Sequence, residues 1–227
     1  MTPEKVPLSE RPAGCMSCKI GADGPVGPDG ARLPSNVWCG VGLFRDPEAA
    51  RIALDARECY LPLLGTAVES WHALLLPVTH RGECNHLDIA SPGLLLEIGE
   101  PDPGGPLFAM TTAGFDLGPT LDLSRVVDFR RNVDRVREWL QPAEGRIATQ
   151  VFTPHTRGDD GVTMSIWRDD ASMTSVMYRP GLHRTQVDRY RSEKTADRTS
   201  FTRFRALQHY GIWGGADPIE QARKAAT

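Results

Sequence analysis

The chain has 227 residues, 40% of them hydrophobic, enough to bury a substantial core as one domain of two halves or as two small domains. Its net charge of -3, from 26 basic and 29 acidic residues, makes no electrostatic case for nucleic acid, and its longest apolar runs are too short to span a bilayer. Residues 1–14 lack the pattern of a signal peptide and are expected to be a tail on a cytoplasmic protein with reduced thiols.

In chain order, residues 15–20 and 36–44 read as strands, Pro47–Ala56 as a helix with Pro near its first turn, and residues 68–76 as a strand. The stretch 21–30 alternates glycine with proline and reads as a mobile loop that could act as a flap. This first half, 15–98, is β-β-α-β. Residues 99–106, Gly-Glu-Pro-Asp-Pro-Gly-Gly-Pro, read as a linker. Beyond it, 107–115 is a strand and Leu123–Leu140 a helix whose Val126, Val127, Val133, Val136 and Leu140 line one face. Strands at 145–153 and 162–167, helices at 170–178 and 183–194 and a strand at 203–209 complete a second half, 107–219, and 220–227 reads as a tail. The order of that half is βαββαβ, the ferredoxin-like unit. The first half matches it only without its opening strand and helix, because residues 1–12 are too short and are interrupted by Pro3, Pro7 and Pro12. An open sheet edge is expected there, covered by a second subunit or by residues 1–14.

Cysteines stand at 15, 18, 39, 59 and 84, an odd number that argues against a complete disulfide framework. Cys15-Met-Ser-Cys18 supplies two of the four ligands of a structural zinc site, and Cys84 with His80 or His86 completes one only if the fold brings them together. His183 follows the break Pro180-Gly181 and opens a helix, where a neutral imidazole on a fixed backbone is well placed as a metal ligand. His72 alternates onto the strand face opposite Trp71 and is a candidate acid or base. His155 and His209 read as ordinary strand histidines. Asp169-Asp170 reads as a helix N-cap, and neither this pair nor Asp159-Asp160 reads as a catalytic dyad.

Several local patterns occur in order: Ser35-Asn-Val-Trp38, Phe44-Arg-Asp-Pro-Glu-Ala-Ala50, Glu69-Ser-Trp71, Thr163-Met-Ser-Ile-Trp-Arg-Asp169, the Pro-Gly-x-His run ending at His183, Phe201-Thr-Arg-Phe204 and Gly211-Ile-Trp-Gly-Gly-Ala-Asp-Pro218. Over residues 15–219 the chain resembles the spheroidene monooxygenases and their relatives, haem proteins of the dimeric αβ-barrel group. That resemblance implies an α+β fold of two ferredoxin-like halves, a homodimer, and haem b held by His183. It implies oxygenation of a small or medium apolar metabolite, with molecular oxygen and an electron donor. Ile166, Met173 and Met177, with Val162, Met164 and Val176, are then expected to line the haem slot. Arg179 and Arg184, with Arg189 and Arg191, are expected near the propionates, and His72 on the distal side. A haem Lewis-acid enzyme of the aldoxime dehydratase kind is an alternative, as is a haem-free protein that binds an apolar ligand or partner. Where relatives carry Trp and another aromatic residue, this chain has Lys194-Thr195-Ala196, which implies a larger, more polar pocket and argues against a long polyene.

Overall fold

A computed structural model describes residues 12–33, 35–56, 67–84, 105–116, 118, 119, 121–154 and 159–225. Expectations for Cys59, His86, His155, the tail 1–11 and linker positions 99–104 lie outside these residues.

The architecture is α+β, with seven strands in one sheet: β1 (Cys15–Ala22), β2 (Trp38–Phe44), β3 (Trp71–Gly82), β4 (Leu107–Gly114), β5 (Arg146–Pro154), β6 (Gly161–Trp167) and β7 (Arg198–Gly211). The helices are α1 (Pro47–Ala56), α2 (Leu123–Leu140), α3 (Asp170–Met177), α4 (Leu182–Glu193) and α5 (Pro218–Ala225). Every strand pairing is antiparallel, and the order across the sheet is β2-β1-β5-β6-β4-β7-β3. From β4 to β7 the elements run β-α-β-β-α-α-β, with β4 and β6 central, which is the ferredoxin-like arrangement expected for this half. Strands β1 and β2 extend the sheet beyond β5, and β3 extends it beyond β7.

Period-2 alternation divides the core in two. On one face Phe108, Met110, Phe152, Val162, Ile166 and Phe204 pack together. On the other, Leu107, Ala109 and Trp167 pack against Leu140, Met173 and Val176 of α2 and α3. Trp167 is fully buried, and its Nε1 donates to Ser165 Oγ at 2.9 Å, so the indole is accommodated without an unmade hydrogen bond.

Both helix starts behind β6 have local causes. Asp169 accepts from the Ser172 N–H at 2.6 Å and caps α3, as its sequence position suggests. Gly181 precedes α4 because a Cβ there would lie 2.8 Å from Trp139 Cζ2. The turn into α5 was not expected. Residues 218–225 are helical, and Ile219, 1% exposed, inserts into the cluster of Phe108 and Phe152. The last helix therefore packs on the sheet face opposite α2 and α3.

The loop after β1 also differs from expectation. Asp23 accepts from Arg137 at 2.6 and 2.7 Å and from Gln150 at 2.8 Å, while Arg32 reaches Asp134 at 2.7 Å. Arg130 donates to the Gly30 carbonyl. These bonds anchor the glycine- and proline-rich segment to α2 and β5, so it is not a flap.

Candidate active site

The expected haem slot does not assemble. Ile166 and Val162 belong to the Phe108 cluster, whereas Met173, Val176 and Met177 belong to the Trp167 cluster on the opposite face of the sheet. Ile166 is 1% exposed and Met173 0%, so both are already enclosed by protein side chains. Helix α4, which carries His183, has no fully buried residue, and His183 itself is half-buried.

The expected propionate partners are otherwise engaged. Arg184 makes two hydrogen bonds to Asp188, at 3.0 and 2.9 Å, and Arg189 bonds Glu193 at 2.7 Å, both on the exposed helix surface. The Arg179 guanidinium sits 6.0 Å from the centroid of the Trp139 ring.

His183 itself has a helix-ending role. Its Nδ1 lies 3.0 Å from the carbonyl of Met177, the last residue of α3. A carbonyl only accepts, so the neutral ring carries its proton on Nδ1 and satisfies an acceptor the helix would otherwise leave free. Burial lowers the imidazole's pKa, and the bond to Met177 only partly opposes this. The expectation of haem b is therefore corrected: the residues expected to enclose the group lie on two sides of a sheet.

Other sequence-based candidates are also separated. Among the described residues no group of three or more His, Cys, Asp or Glu side chains is placed to hold a metal ion, and Cys15, Cys18, Cys39 and Cys84 form no disulfide. His80 Nδ1 lies 2.8 Å from Thr202 Oγ1. Lys19 pairs with Asp159, and Arg198 with Asp160, each at 2.7 Å. Ala196 is 1% exposed and packs with Phe115 and Val126, so it widens no pocket. His72 stacks on Tyr210 with ring centroids 5.2 Å apart.

The register of β3 and β7 instead brings together groups that the sequence did not mark as partners. Trp71 opposes Gly211 and Ala73 opposes His209, so Trp71 and His209 share a face, the one opposite His72 and Tyr210. Trp71 stacks on Phe108 at 5.9 Å with an interplanar angle of 4°, and its ring centroid lies 6.5 Å from His209 and 6.4 Å from Trp213. The chain then turns through Trp213–Ala216, closed by the Trp213 N–H to the Ala216 carbonyl at 2.8 Å, with φ of 67° at Gly214 and 85° at Gly215. Only glycine takes those angles without strain.

The turn delivers Asp217. Its Oδ2 lies 2.8 Å from His209 Nδ1, and its Oδ1 accepts from the N–H groups of Ile219 at 2.9 Å and Glu220 at 3.3 Å. One carboxylate thus orients an imidazole and caps α5. Burial pushes the Asp217 carboxyl up, but the hydrogen bonds from His209, Glu220 and Ile219 outweigh it, and the group is held below its ordinary value of 3.8. An ionised carboxylate only accepts, so His209 Nδ1 donates and Nε2 of the neutral ring is left as the basic nitrogen. Glu220 Oε1 is 3.9 Å from that nitrogen, beyond a hydrogen bond, and is itself bonded to Arg223. An imidazole oriented in this way by a carboxylate, with the Trp71 ring beside it, has the geometry that general-base chemistry requires. The pairing could have been suspected from Asp217-Pro218, a helix-start signal eight residues after a strand histidine.

No family model matches the chain, and no curated protein does. The resemblance to spheroidene monooxygenases thus gains no support beyond the residues that suggested it. Among solved structures the chain is similar to a protein assigned as an antibiotic biosynthesis monooxygenase from Deinococcus radiodurans, at 12% identity and TM-score 0.39, over 48% of this chain and 99% of that one. It is similar to SnoaB, a cofactor-independent oxygenase from Streptomyces nogalater, at 13% identity and TM-score 0.35, over 45% and 94%. A protein assigned as a monooxygenase from Fusobacterium nucleatum matches 92% of this chain and 82% of its own, at 9% identity and TM-score 0.42. Among the described residues no helix is long and apolar enough to cross a membrane.

Proposed function

We propose that this chain is a monooxygenase-like enzyme acting on a small or medium, planar, largely apolar metabolite, with His209 as its general base. The supporting observation is the His209–Asp217 pair, with the Trp71 ring beside His209 and Trp213 beside Trp71. Aromatic rings beside the base favour stacking with a flat aromatic substrate. A base calls for a substrate with an acidic proton, such as a methylene activated by flanking aromatic rings or a carbonyl.

The chemistry needs no group outside the pair and the two reactants. His209 Nε2 takes one proton from the activated methylene, and the resulting carbanion is electron-rich enough to reduce O2. A C–O bond forms, the imidazolium returns its proton to the peroxide, and loss of water breaks the O–O bond and the second C–H bond. The balance is R2CH2 + O2 → R2CO + H2O. The carbon loses four electrons and O2 gains four, so the electron donor is the substrate itself.

Anthrone is a suitable probe, being planar and carrying one activated methylene. Oxygen uptake matched one-to-one by ketone, with one atom of ¹⁸O from ¹⁸O2 in the product and a loss of about a hundredfold or more in His209→Gln, is the expected result. Uptake no faster than in protein-free buffer would overturn the reading and favour a protein that binds an apolar ligand without turnover.

A barrel completed by a second copy is part of the same proposal. On their outer sides β2 and β3 have no strand partner among the described residues, and exposed edges are commonly covered by another chain. Light scattering should return about twice the chain mass of 24.9 kDa; a single-chain mass would remove this element.

A further inference from the structure

Glu69 lies two residues before Trp71, in one of the two patterns that flank the site, and the other pattern is the turn it meets. Its Oε2 accepts from the Gly214 N–H at 2.8 Å and its Oε1 from the Gly215 N–H at 3.0 Å. Next to it, the Ser70 carbonyl accepts from the Ile212 N–H at 2.9 Å. The turn so held has Trp213 at one end and Asp217 just beyond the other. Around both glycines the space a Cβ would take is open, so no side-chain packing at these two residues determines where the turn sits.

We propose that Glu69 is the positioning residue of the site: by binding both glycine N–H groups it fixes the turn and, through it, holds Trp213 beside Trp71 and Asp217 against His209. A carboxylate suits this role because two oxygens on a planar group match two successive backbone donors, and charge-assisted bonds of this kind are stronger than neutral ones. The Glu69 carboxylate bonds the turn itself, so it acts on the pair through the turn. This role rests on the base assignment above, but it can be read without turnover.

The test uses the full chain with ¹⁵N-labelled histidine. The His209 Nδ1–H resonance, assigned by its loss in Asp217→Ala, reports the His209–Asp217 bond, and the near-ultraviolet circular dichroism of the Trp71–Trp213 pair, assigned with Trp213→Phe, reports the indole contact. In Glu69→Ala the Nδ1–H should exchange with solvent at least tenfold faster and the indole signal should fall, with far-ultraviolet dichroism unchanged. Glu69→Gln keeps one acceptor oxygen and should lie between Glu69→Ala and the wild type. Wild-type exchange and dichroism in Glu69→Ala would overturn the proposal; if that variant does not fold, wild-type values in Glu69→Gln would do so. Should anthrone fail to be oxidised while these signals shift as expected, the oxygenation reading falls and the positioning role stands.

Discussion

His209 and Asp217 are separated by eight positions in the chain, yet the carboxylate of one lies 2.8 Å from the ring of the other while also starting a helix. A single side chain therefore couples the closing of α5 over the sheet to the orientation of the base. Changes at this pair should alter both stability and chemistry.

Asp217→Asn tests that coupling. The amide can still cap α5 through its oxygen, but it no longer carries the charge that keeps His209 in one tautomer. Anthrone oxidation should fall about a hundredfold or more, with a loss of stability of about 1 kcal/mol or less. Acid unfolding supplies the sign. The carboxyl's pKa is depressed in the fold, so its stabilisation is fully present above about pH 3.8 and is lost as pH falls through its lower folded value. The variant should lack that part of the acid transition in a urea titration across pH 2–6.

His183→Ala should behave as the loss of a helix-ending hydrogen bond. A drop of about 1–2 kcal/mol in denaturant stability is expected, because the Met177 carbonyl loses its partner. Anthrone oxidation should be unchanged. The folded imidazole has a depressed pKa, so its contribution is present above the unfolded value of 6.5 and is lost as pH falls from there through the folded value. Wild type should weaken relative to the variant over that window.

Cys39 should be the slowest of the described thiols to alkylate. Burial, with the charge of Asp23 beside it, pushes its pKa up to about 12, against a smaller opposing hydrogen bond with Gln150. At pH 8 its thiolate fraction is about 10⁻⁴, roughly a thousandfold below that of a free cysteine. Iodoacetamide labelling followed by peptide mass mapping reads this directly. The same labelling rate at Cys39 and Cys18 would contradict it.

Ile219→Ala should loosen α5. The side chain is 1% exposed within the Phe108 cluster, and truncation should cost about 2–5 kcal/mol. Thermal melting measures the loss. Because Asp217 caps α5, the His209 Nδ1–H should also exchange faster than in wild type.

The long amphipathic elements were legible because their patterns repeat. The ranges Pro47–Ala56 and Leu123–Leu140 are found unchanged as α1 and α2. Strand β7 extends beyond 203–209 to Arg198–Gly211, since Arg198, Thr199, Ser200 and Thr202 at its start carry no apolar signal. Helix α5 was not expected although Asp217, Pro218 and Glu220 are start signals, because residues 220–227 read as a tail. The haem slot was misread by parity. Ile166 and Trp167 are neighbours on β6 and face opposite sides, so the helix carrying Met173 can pack over only one of them.

What this sequence determined by itself was local and periodic: which segments are strands or helices, the βαββαβ order from β4 to β7, and the capping aspartate of α3. The tertiary structure alone decided which side chains meet. Strand register set Trp71 beside His209, and a two-glycine turn tied to Glu69 brought Asp217 back to that histidine. Such contacts depend on cross-strand alignment and on backbone angles at two positions, and neither leaves a periodic trace in the chain.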